Sequence, residues 1–106
     1  MKASIIIPTY NRSDVIIRSL ETWTTQTLCS DDFEVKVVDN NSTDNSEALI
    51  KGYIRNRSNF HYFKEPKAGS TNARHAGAKL AQSDVLIFAD DDGLFNESCI
   101  EEIVNV

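Results

Sequence analysis

An α/β fold, with an open, mostly parallel sheet carrying helices on both faces, is predicted by three features of this 106-residue sequence. β-Branched and aromatic runs alternate with segments whose apolar residues recur at helical spacing, the pattern of repeated strand–helix–strand units. The first run, "SIIIP", is apolar at successive positions, as a strand covered on both faces must be. Each strand-like run opens into a polar segment, and in a parallel sheet all such segments fall on one edge.

The elements follow in order. After "SIIIP", Ser13 or Asp14 is placed to cap a helix over "DVIIRSLETWTTQ", with Ile16, Leu20 and Trp23 as its apolar stripe. "FEVKVVD" is a second strand, Phe33, Val35 and Val37 alternating ahead of Asp39. "NNSTDNSEALIKGYIRN" offers Ser42, Thr43 and Asp44 as caps, Glu47 in the first turn, and Leu49, Ile50, Tyr53 and Ile54 as the inner face. "FHYF" is a weaker third strand. "STNARHAGAKLAQ" is a helix whose inner face, Ala73, Ala76, Gly77 and Leu80, is nearly bare, so it can lie very close to a sheet. "DVLIFAD" is a fourth strand, and Asn96 caps a last helix in "NESCIEEIV". Right-handed crossovers put helices on both faces. The expected strand order is 3-2-1-4, with the first strand inside the sheet.

Length and charge set outer limits. The chain is at most one domain. Its net charge of -5 argues against a nucleic-acid partner, since no basic stripe is present to neutralise a phosphate backbone. Cys29 and Cys99 match no zinc or redox spacing and read as reduced, buried core residues. No transmembrane segment is present, because no run approaches the roughly 20 apolar residues of a membrane helix. "MKASIIIPTY" is too short in its apolar run for a signal peptide. The expected location is cytoplasmic, at the inner face of the membrane if a longer form is anchored there.

The polar exits "PTYNR", "DNNSTD", "KEPKAGS" and "DDDG" should therefore share one crevice. "DVLIFADDDG" poses the sharpest electrostatic problem. Two like charges about 5 Å apart repel by roughly 3 kcal/mol at an effective dielectric near 20. "DDDG" alone is ordinary turn chemistry. At the end of a buried strand, however, alternate carboxylates Asp90 and Asp92 would both face the crevice, where two oxygen ligands plus phosphates suit Mg²⁺ or Mn²⁺. Asp39 reads equally as the anchor of an Asx-rich turn or as an acceptor for a ligand N–H or O–H. Arg74 is either a solvated charge or a phosphate or base contact, and Tyr10 either packs or stacks on a base. His61 and His75 have no partner spacing and are assigned no role. There is no "GxxxxGK[ST]", no "GxGxxG" after the first strand, and no "GxSxG".

"SIIIPTYNR", "VKVVDNNSTDNS", "GSTNARHAGAKLA" and "VLIFADDD" resemble, in order and spacing, the N-terminal half of the family 2 glycosyltransferases, from about Ser4 to Gly93. The resemblance implies a Rossmann-like sheet of GT-A type and a nucleotide-diphospho-sugar donor, usually UDP-linked, bound with Mg²⁺ or Mn²⁺. It implies nucleotide contacts at Pro8, Thr9, Tyr10, Arg12, Asp39, Arg74, Asp90 and Asp91. Asp39 would bond the base and Arg74 lie near base or diphosphate. Asp90 and Asp92 become the acids of the D-x-D motif, Asp90 towards the ribose and both in reach of the metal, with Asp92 on it. His75 stands where the family commonly has Asn, and Gly93 where it often has another acid.

Length is the main departure. Family members continue for about another hundred residues, an ordinary completion of such a domain. That half carries the acceptor site and the general base, so the base is expected beyond Val106. Glu97, Glu101 and Glu102 read as helix surface. Two classes of function follow. One is an inverting, hexosyltransferase-type glycosyltransferase of polysaccharide biosynthesis, truncated to residues 1–106 as its donor-binding portion and inactive alone. Its acceptor would be a saccharide, lipid-linked or other hydroxyl compound. The other is a non-catalytic nucleotide-binding or interaction module. A receiver-type phosphoacceptor domain does not fit, because its acidic pair would follow the first strand. Truncation would also expose apolar surface after "VLIFA" and at Ile100, Ile103 and Val104, favouring self-association.

Overall fold

The computed structural model describes residues 1–105, with Ser70 described by its backbone alone. Four strands form one sheet: β1 (Ala3–Thr9), β2 (Phe33–Asp39), β3 (Phe60–Lys64) and β4 (Leu86–Phe88). The helices are α1 (Ile16–Thr24), α2 (Ser46–Ile54), α3 (Ser70–Leu80) and α4 (Cys99–Val104), with a 3-10 turn at Ser30–Asp32. Strand order is β3-β2-β1-β4 and every pairing is parallel, as the strand–helix alternation predicts.

β1 sits inside because its side chains are apolar on both faces. Ile5 and Ile7 join Ile16, Leu20, Trp23, Val35, Val37, Ile50 and Ile100 in the larger core cluster. Ile6 points the other way and meets Val38 and Ala73 beneath α3. The helices thus lie on both faces, α3 on one and α1, α2 and α4 on the other. Trp23 stacks on Phe95 with ring centroids 4.6 Å apart and closes the larger core near α4.

The close approach of α3 depends on its glycine. A Cβ added at Gly77 would overlap Ile6 Cγ2 and lie 3.2 Å from Val38 Cγ2. The small-residue face of the helix therefore does what its composition suggests, up to Leu80, which is 43% exposed because α3 ends there. Leu49 likewise turns out of the α2 stripe and is largely exposed, while Ile50 and Ile54 are buried.

Helix starts differ from the sequence expectation. α1 begins without a side-chain cap, its first turn set instead by Arg12 O, which accepts from the N–H groups of Val15 and Ile16. Ser13 and Asp14 do not cap it, since α1 starts at Ile16 with Val15 in the cap position, and the Ser13 N–H donates to the Asp44 carboxylate at 3.3 Å. Ahead of α2, Ser42 turns inward to Asp39, Thr43 bonds Asn11, and Asp44 Oδ1 accepts from the Ser46 N–H in a tight turn. Asn96 makes the same kind of turn with Ser98, one residue ahead of α4, rather than capping it.

Two burial expectations are also corrected. Cys29 is exposed, since it sits in the loop before β2 rather than under it, and Cys99 is half-buried. Ile100 is fully buried against α1, so it is not part of an exposed apolar face; Ile103 is exposed and Val104 packs partly on the core. β4 has only three residues, and Leu86 and Phe88 are 36% and 49% exposed. It is an edge strand with little cover, not the fully buried strand its sequence suggests.

Beneath α3, β2 buries two charges. Lys36 Nζ lies 3.0 Å from Glu34 Oε1, and both side chains are almost completely enclosed. Ser4 Oγ and the Gln82 N–H donate to Glu34 Oε2 at 2.6 and 2.7 Å. Burial pushes the Glu34 carboxyl up, but Ser4, Gln82 and Lys36 together outweigh it and hold the group below its ordinary value.

Candidate functional site

The strand ends converge on one crevice of about 740 Å³. Pro8, Thr9, Tyr10 and Arg12 line it from the β1 exit, Asn40, Asn41 and Thr43 from the β2 exit. The loop from β3 into α3 contributes Pro66, Ala68, Gly69 and Arg74, and the β4 exit contributes Ala89, Asp90 and Asp91. Fifty residues of sequence separate Asn40 from Asp90. The central position of β1 brings them together, because β2 and β4 flank it in parallel register.

The acidic turn is organised by β1. The Thr9 hydroxyl donates to Asp91 Oδ2 at 2.9 Å, and Arg12 Nε lies 3.8 Å from the same oxygen. Burial pushes the Asp91 carboxyl up from its ordinary value, Thr9 and Arg12 draw it down, and neighbouring Asp92 adds repulsion; the net direction is upward. The chain leaves strand geometry after Phe88 and turns, with the Gly93 N–H bonding Asp90 O at 3.3 Å. Strict alternation therefore ends before the carboxylates. Adjacent residues Asp90 and Asp91 line the crevice, and Asp92, exposed at the rim, does not.

Asp39 is fully buried behind the crevice wall and outside its lining. Its Oδ1 accepts from the N–H and hydroxyl of Ser42 at 2.9 and 2.6 Å, and its Oδ2 from the Tyr62 hydroxyl at 2.5 Å. Burial, then the Asp39 hydrogen bond, pushes the Tyr62 phenol up, so it stays a donor. The Asx-turn contacts expected from "DNNSTD" are thus present. Ser42 fills both acceptor sites of Oδ1 and Tyr62 one of those of Oδ2, which leaves about one site, on Oδ2.

Asn11 and Asn40 tie the exits around the crevice together, which residue-by-residue reasoning missed. Asn11, at φ 51°, accepts at Oδ1 from the Thr43 and Asp44 N–H groups at 2.7 and 3.2 Å, tying the β1 exit to the β2 exit. Asn40 ties the β2 exit to the β3–α3 loop. The only signal available was their place in the polar exits, since an amide's partners cannot be read from sequence. Tyr10 is 55% exposed at the crevice mouth, its ring open to a ligand. Arg74 is exposed one turn into α3 and supplies positive charge facing the acidic turn.

Beside this geometry stand the likenesses to known proteins. The family model described as "Glycosyl transferase family 2" matches residues 4–106. The chain belongs to glycosyl transferase family 2. Among the family's members it is 33% identical, over 98% of its length, to poly(ribitol-phosphate) beta-N-acetylglucosaminyltransferase TarP of Staphylococcus aureus, strain N315, of which it covers 32%. A crystal structure of S. aureus TarS 1-349 in complex with UDP superposes with a TM-score of 0.91 at 29% identity, over 99% of this chain and 31% of that one. The mannosyltransferase PcManGT of Pyrobaculum calidifontis, solved with GDP-Man and Mn²⁺, gives 0.83 at 25% identity over 89% of this chain and 28% of that one. The chain spans about a third of the length of these relatives.

Asp90, Asp91 and Asp92 offer hard oxygen donors. Among the described residues no three His, Cys, Asp or Glu side chains converge into a ready cage. Mg²⁺ and Mn²⁺ take one or two carboxylates and complete their shells with phosphate oxygens and water. The residues fit such an ion only together with a phosphate ligand.

Proposed function

We propose that this chain is the donor-binding portion of a metal-dependent, inverting glycosyltransferase that uses a nucleotide-diphospho-sugar, UDP-linked, and a hydroxyl-bearing acceptor. The observation that carries the reading is the crevice itself. It has room for a nucleotide, an exposed aromatic ring at its mouth, a cationic side chain on one wall and an acidic turn on the other. UDP in the TarS complex, and GDP-Man with Mn²⁺ in the PcManGT complex, support a nucleotide donor and a divalent cation here.

In this proposal Tyr10 stacks on the base, with Pro8 and Thr9 forming the floor beneath it. Asp39, enclosed behind the wall with its carboxylate held by Ser42 and Tyr62, reaches the base edge only when the nucleotide displaces the Ser42 side of that wall. Arg12 and Arg74 face the phosphates. Asp90 lies towards the ribose, Asp91 anchors the turn to Thr9, and Asp90 and Asp92 hold the cation. The cation supplies charge neutralisation of the leaving diphosphate. Direct displacement at the sugar carbon needs a general base for the acceptor hydroxyl. Neither that base nor the acceptor site is assigned to a residue of this chain, which spans about a third of its relatives' length.

Calorimetric titration with UDP tests the reading. Affinity should be weak without Mg²⁺ or Mn²⁺ and higher with it. Asp92→Asn should remove most of the metal dependence, since an amide keeps the shape without the charge. Asp39→Asn should weaken binding with or without metal. Equal, metal-independent losses in both variants would show that the two carboxylates do not have separate roles. No binding by the unmodified chain would remove the reading altogether.

A further inference from the structure

The wall of the crevice made by the loop from β3 to α3 has little packing to hold it, since residues 66–69 are all exposed. What holds it is a small set of hydrogen bonds. The Glu65 N–H donates to Asp39 O at 2.7 Å, and the Lys67 N–H to Glu65 Oε1 at 3.1 Å. Asn72 Nδ2 donates to Ala68 O at 2.8 Å from the first turn of α3. Gly69 adopts φ 109°, a conformation that residues with a side chain rarely take, at the turn into α3. The largest share falls to Asn40, whose Nδ2 donates to both Glu65 O, at 3.1 Å, and Lys67 O, at 2.5 Å.

Asn40 is itself a rigid post. Its side chain is nine-tenths buried, and its backbone N–H donates to Thr9 O at 2.8 Å, extending the β1–β2 ladder past the strand end. Two carbonyl partners on one side of the amide fix which end is nitrogen, and both of its protons are used. A carboxylate of the same shape would set one oxygen, in the place of Nδ2, against two carbonyl oxygens.

We infer that Asn40 is a positioning residue for the donor site: by clasping Glu65 and Lys67 it sets the distance between the β3–α3 wall and the acidic turn, and so the affinity for a nucleoside diphosphate. It acts through Pro66, Ala68, Gly69 and the start of the helix that carries Arg74. The inference rests on the nucleotide reading above and deepens it by naming what holds the site open to the right width.

Asn40→Asp is the direct test, read by UDP titration with Mg²⁺ and by hydrogen exchange of the unliganded chain. Loss of both donor bonds should weaken UDP binding at neutral pH by roughly tenfold. Exchange at the amides of residues 67–69 should accelerate while the strand amides stay protected. The ratio of variant to wild-type affinity should recover as pH falls into the carboxyl range, because a neutral acid regains one O–H donor. A purely structural role would lower strand protection with the binding and give no such recovery. Unchanged UDP affinity in a folded variant overturns the inference, as does weakened binding with loop exchange left as in wild type. If Asn40→Asp does not fold, Asn72→Ala removes the second clasp at a half-buried position in the first turn of α3. It should speed the same loop exchange and weaken UDP binding by about threefold, and faster exchange with unchanged affinity overturns the inference. Failure of the wild type to bind UDP would fell the nucleotide reading instead, and the exchange measurement would still judge the clasp.

Discussion

At the scale of single residues, two glycines in helices make opposite demands. Gly77 lies where α3 presses on the sheet, and any Cβ there meets Ile6 and Val38. Gly77→Ala should destabilise the fold by about 1–3 kcal/mol, the usual range for overpacking a filled interior. Gly52, exposed in the middle of α2, has nothing within 4 Å of an added Cβ. Gly52→Ala should stabilise by about 0.5–1 kcal/mol through reduced unfolded-state entropy. Urea unfolding of the two variants checks both signs; a neutral Gly77→Ala would mean that α3 can lift off without loss. The acidic turn belongs to this scale as well. Thr9 and Arg12 engage Asp91, so the middle carboxylate of the three is the one bound into the fold, and Asp90 and Asp92 keep their oxygens for solvent and ligand.

At the scale of elements, β2 and α2 carry the charges that matter for stability. Lys36 is the cation beside the enclosed Glu34 carboxylate, and its stem also places the ammonium 5.1 Å from the Phe63 ring. Lys36→Met keeps most of the volume and leaves Glu34 buried without its partner. The expected loss is about 3 kcal/mol, the low end for breaking a buried pair, because partly exposed His61 gives water some access nearby. Denaturant unfolding measures it, and a loss under about 1 kcal/mol would mark the pair as effectively solvated. On the other face, Glu47 joins α2 to β3, lying 2.7 Å from both Lys51 and Lys64. Hydrogen bonds from Lys51 and Lys64 hold its carboxyl at about 2, against an ordinary 4.5. A carboxyl depressed in the folded state stabilises fully above its unfolded pKa and loses that contribution as pH falls through the folded one. The melting temperature should therefore drop as pH goes from about 4.5 to about 2, and Glu47→Gln should flatten part of that slope. Asp44, held at about 2 by Ser46 and Ser13, and Glu34, held below its ordinary value, contribute to the part that remains.

At the scale of the whole molecule, the outer edge of β4 is the weak side. Val85, Leu86 and Phe88 are 39%, 36% and 49% exposed, and no strand pairs with that edge among the described residues. Unpaired edges with apolar side chains invite association. Self-association of the isolated chain is expected, rising with concentration in sedimentation velocity and reduced by Leu86→Lys. A strictly monomeric wild type at high concentration would contradict it. The same edge lies beside the acidic turn, so anything that covers β4 also borders the crevice. No helix among the described residues is long and apolar enough to cross a membrane.

The sequence by itself determined the sheet, its order and the meeting of its four polar exits. Those follow from apolar periodicity, parallel connection and handedness, which are local or nearly so. It also determined the bareness of the α3 face, which is a matter of composition. Tertiary structure alone decided which atoms meet. β4 stops at Phe88, so adjacent Asp90 and Asp91 line the crevice wall and Asp92 stands exposed outside that lining. Ile100 found cover against α1, although its own short helix offered no sign of it. Caps expected at Ser13, Ser42 and Thr43 did not form, because the helices start later, at Ile16 and Ser46, and these residues donate instead to Asp44, Asp39 and Asn11 across and within the exits. Asn40 could be seen as a turn residue but not as a clasp. A hydrogen bond's partner is set by three-dimensional position, and a side-chain amide fits many partners equally well until the fold chooses among them.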